Sequence, residues 1–377
     1  MKALLINSVC GVGSTGRICV DIAHELECSG YQVKIAYGRD SRVPKNAQKY
    51  AVRIGNDACV KIDVLRTRFF DCAGFGLERE TDAFLKWADE YKPDLIWLHN
   101  IHGYYINVER LFNWLKQKNN IEIRWTLHDC WAFTGHCTYF TMCGCNRWID
   151  GCFKCPQKRN YPASYLIDAS ERNYKKKREL FTGVTNMELI TPSKWLADLV
   201  KQSYLKDYPV VVSYNKIDKQ VFKPTLSDFR MRYGINNEYV ILGVASPWDE
   251  RKGMKDFFYL LENIRDAVIV LVGLTEKQIE NLPKGIIGIT RTNNAQELAE
   301  IYTAADVFVN PTYEDNYPTV NLEAEACGTP VVTYLTGGSP ETLHMIESCA
   351  VETGNLIELA HAVEKRRYVK KDAHRNR

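Results

Sequence analysis

The sequence predicts an α/β protein built from two doubly wound parallel sheets that face each other across a cleft. Three observations carry this. Short β-rich apolar runs alternate with helical patterns over the whole chain. The alternation comes in two series, and glycine-rich or charged turns follow several of the runs. Strands alternating with helices imply parallel sheets covered on both faces.

The first series places strands at 4–7, 33–37, 95–98, 121–127 and 189–191, with helices near 17–29, 107–118 and 163–182. The second places strands at 210–213, 240–245, 268–272, 286–289, 307–309 and 330–333, with helices near 253–264, 294–304 and 319–326. Residues 1–205 then form one domain and 206–377 the other, both Rossmann-like. A cysteine-rich insertion near 128–160 interrupts the first, and a loop of that length is usually functional or held by something. In open α/β sheets ligands sit beyond the carboxyl ends of the strands, which fixes where chemistry is sought.

Composition bounds the function. The chain has 377 residues, a formal net charge of +3 and no apolar run approaching the ~18 residues of a membrane span. That charge is too small to argue for nucleic acid. The opening residues Met1–Asn7 read as a buried strand, not a signal peptide, so a cytoplasmic protein is expected. Thirteen cysteines are many for a compartment where disulfides rarely persist. Cys137, Cys145, Cys152 and Cys155 end in a C-x-x-C pair, and four thiolates at such spacing suit a closed, structural zinc site. Cys130, Cys143 and His136 are spare donors nearby, and a set of buried free thiols is the plainer reading.

The most informative stretch is Tyr313–Val332. Asp315 and Glu323 bracket a loop that runs into a helix start at Thr319-Val320, and uncapped N–H groups there attract phosphates. Trp248-Asp249-Glu250-Arg251-Lys252-Gly253 follows a strand of the same domain. Arg251 and Lys252 can neutralise a diphosphate, and Gly253 permits close approach. Thr336–Glu341 is a further turn, either a donor contact or a plain β–α connection. In the first domain, Gly11, Gly13 and Gly16 give a G-x-G-x-x-G turn, and Gly13 is read as facing a ligand. No acidic residue closes the second strand, so a nicotinamide site is not implied. His128 stands at a strand's carboxyl rim as a substrate contact, with Asp129 as its neighbour and not a base. His99 and Asn100 occupy the preceding rim, as acceptor contacts or as support for His128. The basic helix 170–178 reads first as a solvated face and second as a contact with an anionic membrane.

On these residues the chain resembles the retaining glycosyltransferases of family 4, which have the GT-B fold. The shared signature is an acidic residue, seven residues, Glu, then Ala-x-Ala-x-Gly-x-Pro-Val, here Asp315 to Val331. Glu is usual at the first position, and Asp315 has Glu314 beside it. Lys252 matches the family's diphosphate-binding lysine, while Pro247 stands where its arginine is common and Arg251 is the substitute. Thr191-Pro192-Ser193, Asn215–Asp218 with Phe222, and His128 also match. Trp131, Thr134-Gly135 and the cysteine loop resemble a subgroup of capsule, exopolysaccharide or colanic-acid-type assembly.

The resemblance implies transfer of a sugar from a UDP- or GDP-linked donor to a glycan or lipid-linked oligosaccharide, with retention and no catalytic cofactor. Asp315 would approach the donor sugar and Glu323 the ribose. Arg251, Lys252 and the N–H groups near Thr319 and Val320 would hold the diphosphate, with His128 beside the sugar. The first domain is then the acceptor side and the second the nucleotide-sugar side. Such an enzyme works in the cytoplasm or on the inner membrane face. Rival expectations are a nucleotide-sugar epimerase, an inverting transferase, and a zinc-stabilised nucleic-acid binder, the last opposed by the low charge.

Overall fold

The computed structural model describes residues 1–375, and the chain divides into two compact units, Met1–Tyr214 and Asn215–Arg377. The first unit holds β1 (Lys2–Ile6), β2 (Gln32–Tyr37), β3 (Ala51–Arg53), β4 (Leu95–Leu98), β5 (Glu122–Thr126), β6 (Met187–Thr191) and β7 (Val210–Val212). They form one seven-stranded sheet in the order β3-β2-β1-β4-β5-β6-β7. The second holds β8 (Tyr239–Val244), β9 (Ala267–Val272), β10 (Ile286–Ile289), β11 (Val307–Asn310), β12 (Val331–Tyr334) and β13 (Cys349–Val351), ordered β10-β9-β8-β11-β12-β13. Among the described residues every strand pair is parallel. The two sheets thus share one winding, and each reverses its strand order once, between β1 and β4 and between β8 and β11.

Parallel strands covered on both faces read as unbroken apolar runs. Ala3, Leu4, Leu5 and Ile6 of β1 and Val307, Phe308 and Val309 of β11 are all fully enclosed. Truncating such a side chain, as in Leu5→Ala, costs ~2–5 kcal/mol.

The structure departs from the sequence reading at identifiable points. The strand expected at 210–213 is β7, which pairs with β6, so it belongs to the first sheet and the division falls after Tyr214. The short strands β3 and β13 are not anticipated by the sequence pattern. The helix expected from 163 begins at Ser170, because 158–168 is a set of turns pinned by Ser164 N–H to Lys158 O and by Asp168 accepting from Cys155 N–H. The basic stretch after Glu364 runs on in the helix Leu356–Arg375, while Arg377 falls outside the described residues.

Candidate functional site

Chemistry-bearing residues gather at both strand-order reversals, where a doubly wound sheet opens a crevice. In the second unit, the turn after β8 and the turn after β11 are laced together. Asp249 caps the turn Glu250–Lys252 by accepting from Lys252 N–H at 3.1 Å. Gly253 comes next with φ +66°, and a Cβ there would lie 2.1 Å from Pro311 O. Arg251 donates from Nη1 to Glu314 O at 2.8 Å, and Tyr313 N–H donates to Arg251 O at 2.8 Å. Lys252 Nζ reaches Asp315 Oδ2 at 2.5 Å, with both side chains 16% exposed.

This pair stands just ahead of the helix Thr319–Ala326. Pro318 at its N-cap supplies no side-chain cap, and its first turn carries no acid. The first N–H groups, at Thr319 and Val320, thus present uncancelled positive dipole. Glu323 lies one turn in, 8% exposed, and accepts a hydrogen bond from Tyr302 OH at 3.1 Å. Asn321 ties the helix to its surroundings through Asn310 at 2.9 Å and Thr342 at 2.8 Å. The turn 336–341 closes over the same loop: Thr336 Oγ1 donates to Tyr313 O at 2.9 Å, and Gly337 packs on Asp315 O. Nothing in the sequence marks Tyr302, Asn310 or the Gly337 contact, because each depends on tertiary neighbours.

In the first unit, Gly11 (φ +72°) and Gly13 (φ +64°) turn the chain out of β1 into the helix Gly13–Cys28. A Cβ at Gly13 would meet nothing within 4 Å, so that glycine is needed for its backbone angle. The ends of β1 and β4 are joined by Asn100 N–H donating to Asn7 Oδ1 at 3.2 Å. His99 is 1% exposed, stacked on Trp97 and on His128, with its Nδ1 3.1 Å from His128 Nε2. It therefore lies beneath His128 and does not present a surface to an acceptor. Burial, reinforced by His128, pushes His99 well below the ordinary imidazole range. Burial likewise lowers His128 to about 4.

A second histidine pair was not anticipated from the sequence. His102 Nε2 lies 2.9 Å from Asp129 Oδ2, and His102 Nδ1 lies 3.3 Å from Tyr161 OH. Burial raises the Asp129 carboxyl, but His102 and the Trp131 N–H outweigh it and hold the carboxyl below its usual range. The signal is present, in His99-Asn100-Ile101-His102, but the sequence does not say which histidine meets Asp129.

The zinc expectation gains no support here: among the described residues no group of three or more His, Cys, Asp and Glu is arranged to hold a metal ion. Cys137 instead hydrogen-bonds Cys155 and Cys152 accepts from Gly135 N–H at 3.1 Å, while Cys145, Cys152 and Cys155 pack against the first core. The basic helix 170–178 is solvated on one side, as its first reading has it, with Arg172, Lys175 and Arg178 exposed, but it is not cationic all round. Lys176 pairs with Glu109, and Lys177 is buried over the Trp131 ring at 3.7 Å, where burial lowers it to about 7.

The histidine geometry carries a pH prediction. An unfolded His128 takes up a proton near 6.5, whereas the folded one resists until about 4. Stability is therefore intact above 6.5 and lost as pH falls toward 4. Urea unfolding of the wild type and His128→Asn at pH 7 and pH 5 checks this, with a shallower acid loss expected in the variant.

Residues 238–366 match the family Glycosyl transferases group 1, so most of the second unit is a domain of that family. The chain is 23% identical, over 71% of its length, to the Escherichia coli K12 protein whose name assigns it to colanic acid biosynthesis as the glycosyl transferase WcaC. It spans 66% of that relative, just under two thirds. Sucrose-phosphate synthase from Thermosynechococcus elongatus superposes with a TM-score of 0.70 at 18% identity, covering 97% of this chain and 89% of that one. Anabaena HepE in complex with UDP-glucose gives a TM-score of 0.64 at 16% identity, with the same coverage. The fold is that of the GT-B glycosyltransferases.

Proposed function

We propose that this chain transfers a sugar from a nucleotide diphosphate sugar to a glycan or lipid-linked glycan, with retention of anomeric configuration, in surface polysaccharide assembly. One observation supports the reading above all: Lys252 and Asp315 meet across the β8–β11 reversal, directly before an uncapped helix N-terminus. Cation and helix dipole together suit a diphosphate, whose negative charge rises as the glycosidic bond breaks. Asp315 approaches the donor sugar, and Glu323, held by Tyr302, takes the ribose hydroxyls. Arg251 anchors the loop through Glu314 O and adds charge on the phosphate side. The match to a colanic-acid-type relative supports the polysaccharide setting. A UDP-glucose complex of similar fold supports a uridine donor.

Retention rests on the resemblance of Asp315–Val331 to the signature of the retaining family, with the leaving phosphate as the proton acceptor for the incoming hydroxyl.

Calorimetric titration with UDP- and GDP-sugars tests the donor, with micromolar affinity expected for one base over the other. NMR of the product settles the stereochemistry, and an inverted anomeric centre would end the retaining mechanism while leaving the transferase standing.

A further inference from the structure

The helix Asp57–Phe70 is inside out. Its fully buried positions are polar, Asp63 and Thr67. Its apolar side chains face outward: Ile62 is 65% exposed, Leu65 56%, Phe69 47% and Phe70 53%. A helix packed only on its parent domain shows the opposite pattern.

A second strip extends this surface. Tyr165 N–H donates to Arg68 O at 2.7 Å and Ile167 N–H donates to Phe69 O at 3.2 Å, so 165–167 lies alongside the helix end. Tyr165, Leu166 and Ile167 are themselves 51%, 66% and 45% exposed. The charges at the margin are mainly positive. Lys61, Arg66, Arg68 and Arg159 are exposed, and Arg68 stacks on Tyr165 at 5.7 Å. Of the nearby acids, Asp57 is bonded to Arg53, Asp63 is buried, and the exposed Asp168 accepts from Cys155 N–H and Ser170 Oγ.

We infer that this surface docks on an anionic phospholipid bilayer, with the apolar side chains in the headgroup–acyl boundary and the cations on lipid phosphates. Contiguous exposed apolar residues mark interaction sites. Aromatic and aliphatic side chains beside lysine and arginine are the composition that an anionic interface selects. An apolar face ringed mainly by cations disfavours a second copy of itself and attracts a negative surface. The segment 161–167 also links this face to the rim, since Tyr161 touches His102. An acceptor carried on a lipid would thus arrive beside the rim. Delivery of such an acceptor rests on the transferase reading, whereas the membrane contact does not.

Sedimentation of the full chain with phosphatidylcholine vesicles, with and without about 30% phosphatidylglycerol, tests the inference. Binding is expected to the anionic vesicles and to weaken with salt. Phe69→Ser with Leu166→Ser should weaken it at least about tenfold. Lys61→Glu with Arg66→Glu should weaken it and flatten the salt dependence. Unfolding temperature and donor affinity should stay unchanged in both, which separates loss of docking from loss of fold or of the transferase site. No binding of the wild type to anionic vesicles at low salt would overturn the inference. So would a stable dimer that the double serine variant splits.

Discussion

Lys252→Ala is expected to cut sugar transfer by ~10²–10³-fold, the scale seen when one preorganised charge-stabilising group is removed from an active site. The loss should fall on kcat as well as on donor affinity, since charge on the leaving diphosphate is greatest in the transition state. Lys252 also holds Asp315, so the single variant leaves a carboxylate without its cation in a site where each is 16% exposed. That costs about 1–3 kcal/mol of stability, independently of any ligand. The double variant Lys252→Ala/Asp315→Ala separates the two roles. It should recover much of the lost stability, because no unpaired charge remains, and should bind donor no better than the single variant. If the double variant regained donor affinity along with stability, Lys252 would be a structural ion-pair partner and the diphosphate site would lie elsewhere. Calorimetry with the preferred nucleotide sugar and urea unfolding, run on the wild type, both single variants and the double variant, supply both readouts.

The parts of this site that can be read from the residues are those whose neighbours in sequence are also their neighbours in space. Asp315, Thr319 and Glu323 share one loop and helix, so their spacing encodes their arrangement. Lys252 lies just past a strand end, and strand ends are legible because parallel strands are continuous apolar runs. Sheet membership is not encoded in the same way. The run at 210–212 has the composition of any buried strand, and only its pairing with β6 assigns it to the first sheet. The histidines show the same limit. Both His99 and His102 lie just after β4, yet one is sealed beneath His128 and the other meets Asp129 and Tyr161 from the inserted loop. Thiol spacing in the cysteine loop says which chelates are possible, not how the backbone brings them together. Cys137 meets Cys155, and Cys145, Cys152 and Cys155 pack against the core that encloses Cys137. The helix Asp57–Phe70 is hidden for a different reason. Its apolar face looks outward, so the usual inference from an apolar stripe to a core gives the wrong answer.

Gly337→Ala should be nearly as damaging as loss of Lys252, and by a purely steric route. Gly337 has φ +54°, and a Cβ placed on it would lie 1.7 Å from Asp315 O and 2.9 Å from Asp315 C. Both of these atoms are backbone, so no rotamer change relieves the contact. The 313–316 loop must shift by more than about an ångström to restore ordinary contact, and Asp315 carries its bond to Lys252 with it. A displacement of that size at a reacting centre costs ~10²-fold in rate, and the forced repacking adds ~1–3 kcal/mol of destabilisation. A control separates the collision from the backbone angle. Gly234 in the same unit has φ +65° and nothing within 4 Å of its Cβ position. Gly234→Ala therefore carries only the left-handed backbone cost, ~1–2 kcal/mol, and should bind donor like the wild type. Equal donor affinity in the two variants would mean that the turn 336–341 is a plain connection out of β12, and that Asp315 is positioned without it.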